Sequence, residues 1–190
     1  TAEYELYDYS KGVVETQNLA QQQPQLVKEL AAKLATYSEP VSRSGLRPGK
    51  VISPSPKIAG KSLRIEAEIQ LKAQATPQGV LLAQGGKEHG YAIHWLKGKL
   101  AFDVRVDGKV TRVQINAPTK GKLKVVAALN QQVISLEVEG ARAKMNSPGL
   151  IPVQPKDDLS IGFDDQTAAG NYNVPNSFNG KVLSYSVNKR

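Results

Sequence analysis

The chain has 190 residues, 40% of them hydrophobic and 22% charged, and carries a net charge of +8. That balance supplies a packed core and argues against bulk disorder. With no cysteine, disulfides, thiolate metal sites, iron–sulfur clusters and cysteine nucleophiles are excluded.

The first 37 residues hold three basic and five acidic groups, whereas the remaining 153 carry a net +10, so two regions with different charge logic follow one another. The head opens with a strand-like piece, Tyr4 to Tyr7, and a turn at Ser10-Lys11-Gly12. Pro24 then suits the first position of a helix of about twelve residues, in which Leu26, Leu30 and Leu34 recur every four residues. Residues 38–56 contain Pro40, Pro48, Pro54 and Pro56 and read as a semi-extended linker. No apolar run approaches the roughly 18–20 residues that span a bilayer, and the amino terminus lacks a signal core, so no membrane partner is expected. The chain opens at Thr1, has Met145 as its sole methionine, and reads as a piece of something longer.

From residue 57 onward the pattern has period two. Leu63, Ile65, Ala67, Ile69 and Leu71 alternate with polar residues, and further runs at 79–84, 90–96, 99–106, 109–115, 122–129, 132–139, 159–163 and 180–187 bring the strands to nine. The expected fold is mainly β, an antiparallel two-sheet sandwich over residues 57–190.

One stretch fixes its own register. Asp107-Gly108 is a two-residue hairpin turn, which pairs Val106 with Lys109, Asp103 with Arg112 and Phe102 with Val113. Lys97-Gly98 pairs Trp95 with Leu100, Ile93 with Phe102 and Tyr91 with Val104. The two turns agree. One face collects Tyr91, Ile93, Trp95, Leu100, Phe102, Val104, Val113 and Ile115; the other collects His94, Asp103, Arg105, Arg112 and Gln114. A slip of one residue would bury Arg105 beside Asp103, at a high cost in desolvation.

Two resemblances are carried by the residues. Glu5-Leu6-Tyr7-Asp8-Tyr9-Ser10-Lys11, continuing through Glu15-Thr16-Gln17-Asn18-Leu19-Ala20 to Pro24, resembles the end of the arylsulfatase catalytic domain. The departures, Tyr9 for a leucine and Gly12-Val13-Val14 for Asp-Pro-Gly, alter a turn rather than a reacting group. From Gly79 onward, Val80 to Gly86, Gly90 to Ile93, Lys97 to Phe102 and Phe178 to Val182 resemble a laminin G-like, concanavalin A-like jelly roll. Together these imply residues 1–37 as the tail of a sulfatase catalytic domain, 38–56 as linker and 57–190 as a jelly-roll module. They imply a secreted or periplasmic protein, with the upstream catalytic domain as a partner.

Little in the chain itself carries chemistry. A sulfatase nucleophile needs Cys/Ser-x-Pro-x-Arg, and Ser38-Glu39-Pro40-Val41-Ser42-Arg43 places its arginine one position too far, so the fragment is expected to be non-catalytic and to hold no cofactor. Glu66/Glu68 and Glu137/Glu139 each share a strand face, but the glucanase run Glu-x-Asp-x-x-Glu is absent. His89 and His94 have no further ligands at zinc spacing. Asp157-Asp158 and Asp164-Asp165 offer oxygen ligands of the kind calcium takes, so calcium at Asp164 and Asp165 stands as the alternative to turn and cap roles. A basic body attracts anions. Sparse aromatic residues and the lack of a basic helix or recognition motif weigh against nucleic acid. Sulfated or acidic polysaccharide stands as a further partner, to be met by the loops or on the polar face by His94, Asp103, Arg105, Arg112 and Gln114, with arginines suited to bidentate sulfate or carboxylate recognition. An ordinary cross-strand ion pair between Asp103 and Arg112 is the competing reading. The alternative to a sulfatase fragment is a free-standing lectin-like or adhesion module.

Overall fold

A computed structural model describes residues 5–8, 17–35 and 49–190, in two units, 1–46 and 47–190, each taken separately. In the first unit, helix α1 (Pro24–Ala35) begins where expected, because proline lacks only an N–H that the first turn leaves unbonded anyway. Its stripe residues Leu26 and Leu30 are exposed. Residues 5–8 do not form the expected strand. Leu6 is tied to the turn before the helix instead: its N–H donates to Asn18 Oδ1 at 3.0 Å, and its carbonyl accepts from Leu19 N–H at 2.7 Å. A side-chain acceptor in that place ends a ladder rather than extending one. The Ser10–Gly12 turn and the segment Ser38–Arg43 lie outside the described residues.

The second unit is a β-sandwich. Its strands are β1 (Lys50–Ile52), β2 (Leu63–Gln70), β3 (Gly79–Gly85), β4 (Gly90–Leu96), β5 (Lys99–Val106), β6 (Lys109–Ile115), β7 (Lys122–Leu129), β8 (Val133–Val138), β9 (Ala141–Asn146), β10 (Leu159–Ile161), β11 (Phe163–Asp164), β12 (Asn176–Ser177) and β13 (Lys181–Lys189). One sheet has the order β1-β10-β3-β4-β5-β6 and the other β13-β2-β7-β8-β9; β11 and β12 form a separate two-stranded ribbon. All pairings are antiparallel.

The register of β4, β5 and β6 is the one the turns dictate. Tyr91 faces Val104, Ile93 faces Phe102, Trp95 faces Leu100, Asp103 faces Arg112 and Val106 faces Lys109. Asp107 (φ 48°) with Gly108 (φ 72°), and Lys97 (φ 48°) with Gly98 (φ 80°), adopt the left-handed pairs that such hairpins require. The apolar face, Tyr91 through Val113, enters the core between the sheets with Ile65, Ile69, Val125, Ala127, Ile134 and Leu136; Ile115 packs at its margin. Trp95 stacks on Phe178 with ring centroids 6.2 Å apart and planes 6° from parallel.

Two features depart from the expected layout. Lys50–Ile52, within the stretch read as linker, is an edge strand on β10, and Ser55 bonds the Asp158 carboxylate nearby. Three residues among prolines are too few to show a period, and an edge strand needs partners on one side only. The strand β9 was also not foreseen: its residues are mostly exposed, so Ala-Arg-Ala-Lys-Met-Asn shows almost no apolar alternation. The turn that launches it, Glu139-Gly140, has the same left-handed pair as the other two hairpins.

Candidate functional site

The outer face of β3, β4 and β5 is where the polar residues were expected to meet solvent. They do not all do so. Segment 163–178 crosses that face as a roof, and His94 and Asp103 are 1% and 0% exposed beneath it. The strand sequences leave room for this covering. Val80, Ala83 and Ala92 form a small second core with Ala169 of the roof, and every residue of β3 is buried, as in strands covered on both faces.

Asp103 is the hub of the contact. Its Oδ1 accepts from Arg112 Nε at 2.7 Å; its Oδ2 accepts from Arg112 Nη2 at 2.7 Å and from the roof's Asn171 N–H at 3.0 Å, and lies 3.0 Å from His94 Nε2. Burial alone pushes this carboxyl up, but the bonds from Arg112 and His94 outweigh it and hold the pKa at about 2. Gly170 permits the close approach, since a Cβ there would sit 2.6 Å from Asp103 Oδ2. On the roof side the Tyr172 ring lies 4.9 Å from the His94 ring, and its hydroxyl donates to Asp164 Oδ2 at 2.6 Å. Burial, then the adjacent carboxylate, push the Tyr172 hydroxyl far up, so it remains a donor.

The five residues of the expected polar-face site therefore separate. His94 and Asp103 are structural and out of a ligand's reach. Arg112 is spent on Asp103, as the ion-pair reading had it. Gln114 is exposed, opposite Ala101, and lines neither hollow described below. Arg105 is left. Its Nε donates to Ala169 O at 3.1 Å, Nη1 to Gly108 O at 2.8 Å and Nη2 to Gly170 O at 3.0 Å. All three partners are neutral carbonyls, and no carboxylate among the described residues pairs with it. A guanidinium has five N–H donors, so fixed position, full charge and spare donors coincide.

Arg105 lines an open groove of about 700 Å³ along the roof, with Lys87, Leu96, Gly170, Asn171, Tyr172 and Asn173. A second hollow of about 300 Å³ lies beside the 85–90 hairpin, lined by Lys87, Glu88, His89, Val153, Pro155, Lys156 and Thr167 among others. Lys87, Asn171, Tyr172 and Asn173 were not anticipated. The Gly85–Gly90 loop and the run Gly170-Asn171-Tyr172-Asn173, polar around one aromatic, were the available signals.

Most of the carboxylates considered for other chemistry are engaged. Glu66 bonds Arg64 and Lys124, which hold its carboxyl below the ordinary range, the opposite of a general acid's requirement. Glu68 pairs with Lys122, and Glu139 accepts the Lys124 N–H. Asp164 is buried, takes the Tyr172 hydroxyl and the Gln166 N–H, and has its carboxyl pushed up by burial. Asp157 accepts the Thr167 N–H at 3.1 Å and also bonds its hydroxyl. Among the described residues, no three His, Cys, Asp or Glu side chains gather as a metal site.

Comparison with known proteins places the fold. No known family profile matches the chain, and no curated protein matches it by sequence. Solved structures do. The chain is similar to domains LG4-5 of the mouse laminin α1 chain (TM-score 0.60, 17% identity, covering 75% of this chain and 39% of that one) and to the LG1-3 region of the laminin α2 chain (0.59, 19%, 73% and 30%). It is also similar to the CBM40 module of the Ruminococcus gnavus IT-sialidase (0.50, 12%, 75% and 89%), a module also solved bound to α2,6-sialyllactose. The chain thus spans well under half the length of the laminin structures it matches. It has the two-sheet jelly-roll fold of laminin G-like modules. Nothing in these comparisons supports the sulfatase resemblance of residues 3–36.

Proposed function

We propose that this chain is a non-catalytic carbohydrate-binding module of the jelly-roll type, and that it takes acidic glycans in the groove along the roof. The observation that carries this reading is Arg105: a cation anchored by three backbone carbonyls, with no acidic partner among the described residues, on the wall of an open hollow. Such a group is pre-organised for carboxylate or sulfate, because little side-chain entropy remains to be lost. Lys87 adds a second charge, Asn171 and Asn173 supply amides for hydroxyl groups, and Tyr172 lines the same groove. The fold's likeness to a sialidase carbohydrate-binding module agrees with this use, and a ligand of this kind belongs to an extracellular or periplasmic setting. The head's likeness to the end of a sulfatase catalytic domain would make the module part of a longer chain, which the reading frame upstream of Thr1 tests.

Binding is tested on a panel of sulfated, uronate-containing, sialylated and neutral oligosaccharides at low and physiological salt. Acidic members bind, affinity falls with salt, and Arg105→Gln weakens binding at least tenfold while unfolding stays cooperative. Equal binding of neutral glycans, or an Arg105→Gln variant with unchanged affinity, overturns the reading.

A further inference from the structure

We infer that the groove and the hollow beside the 85–90 hairpin are two parts of one site, and that its ligand is an extended acidic oligosaccharide rather than a single terminal sugar. This rests on the groove reading above and specifies its ligand. Lys87 lines both hollows, and Thr167 of one is followed in the chain by Ala168 of the other, so a ligand leaving the groove at Lys87 enters the second hollow directly.

The second hollow is preformed. Gly85 N–H donates to Asp157 O at 3.3 Å, and Thr167 is tied to the Asp157 carboxylate by its backbone N–H and its hydroxyl. A Cβ on Gly86 would lie 1.9 Å from Thr167 Oγ1, so the hairpin and the roof meet with no slack. Its volume, about 300 Å³, lies at the lower bound of small-ligand pockets.

Its chemistry differs from the groove's. Val153, 57% exposed and the most exposed large aliphatic side chain described, lines it together with Pro155. An apolar surface held open to water in a concave site is stabilised when a ring face covers it. Lys156 contributes a cation without a carboxylate partner among the described residues, while the Asp157 carboxylate accepts from the Thr167 N–H and hydroxyl. Glu88 stays exposed on the rim and repels an anionic group. That pattern orders the ligand. Its acidic substituents lie over Arg105 and Lys87, and a ring that presents an apolar face sits on Val153 and Pro155.

Calorimetric titration with sulfated, uronate-containing di-, tetra- and hexasaccharides tests this on the whole chain. Affinity is expected to rise at least tenfold from disaccharide to hexasaccharide. Val153→Ser, which removes the apolar cover without adding charge, is expected to remove that gain. A hexasaccharide that binds no tighter than an Arg105-dependent disaccharide overturns the two-part site and spares the groove. A gain in affinity that survives Val153→Ser also overturns it. Failure of every length to bind overturns both.

Discussion

Replacing Asp103 by asparagine isolates the charge that holds the roof to the sheet. The carboxylate is fully buried, and its pKa is about 2 against an ordinary value of 3.8. That gap is worth about 2 kcal/mol. Because the folded-state pKa is the lower one, the stabilisation is complete above the ordinary value and is lost as pH falls through the folded value. Asparagine keeps the shape and can still accept a bond from Asn171 N–H, but at no pH does it carry the charge that Arg112 and His94 answer. The variant should therefore be about 2 kcal/mol less stable than the parent at pH 7, at the low end for a broken buried pair because Arg112 is itself 23% exposed and can be hydrated. The difference should close as pH falls from about 4 toward 2. Other carboxylates with lowered values, such as Glu66 and Asp158, titrate in both proteins and cancel. Urea unfolding followed by far-ultraviolet circular dichroism at a series of pH values measures it. A difference that is absent at pH 7, or that stays constant down to pH 2.5, would mean that the Asp103 charge does not hold the roof.

Gly170→Ala places a methyl group 2.6 Å from Asp103 Oδ2 and 2.8 Å from Tyr172 Cε1, so it should cost about 1–3 kcal/mol and speed hydrogen exchange in residues 163–178. Gly108→Ala meets no close atom but keeps φ at +72°, so it should cost about 1–2 kcal/mol by thermal unfolding, with asparagine tolerated better. Trp95, the sole tryptophan, is 5% exposed and stacked on Phe178, so its emission should be blue-shifted and resist iodide quenching. Phe178→Ala should shift that emission to the red and cost about 3–5 kcal/mol.

Residues 90–115 were legible because two X-Gly hairpins and a period-two pattern constrain the same register independently. What the period cannot give is the covering of a face. Asp103, His94 and Arg105 alternate with core residues as solvent-facing residues do, so they read as an open surface. The roof has no period of its own to announce it. Its signature lay elsewhere: Val80-Leu81-Leu82-Ala83 is apolar without alternation, and Ala83 and Ala92 line the outer face with small side chains under Ala169. A strand buried on both faces reads that way. The groove was half legible, since Arg105 was singled out, but its partners Lys87, Asn171 and Asn173 come from loops joined to it only by the fold. The strands β1 and β9 escaped because β1 has only three residues, set among prolines, and β9 is exposed along almost its whole length, so neither carries an apolar period.

Backbone amide chemical shifts recorded during titration with an acidic hexasaccharide locate the ligand directly. The largest changes are expected at residues 168–173 and 86–89, with smaller ones at 153–157. Changes centred instead on the outer face of the five-stranded sheet, around Glu66, Lys124 and Ser186, would contradict a ligand in the groove.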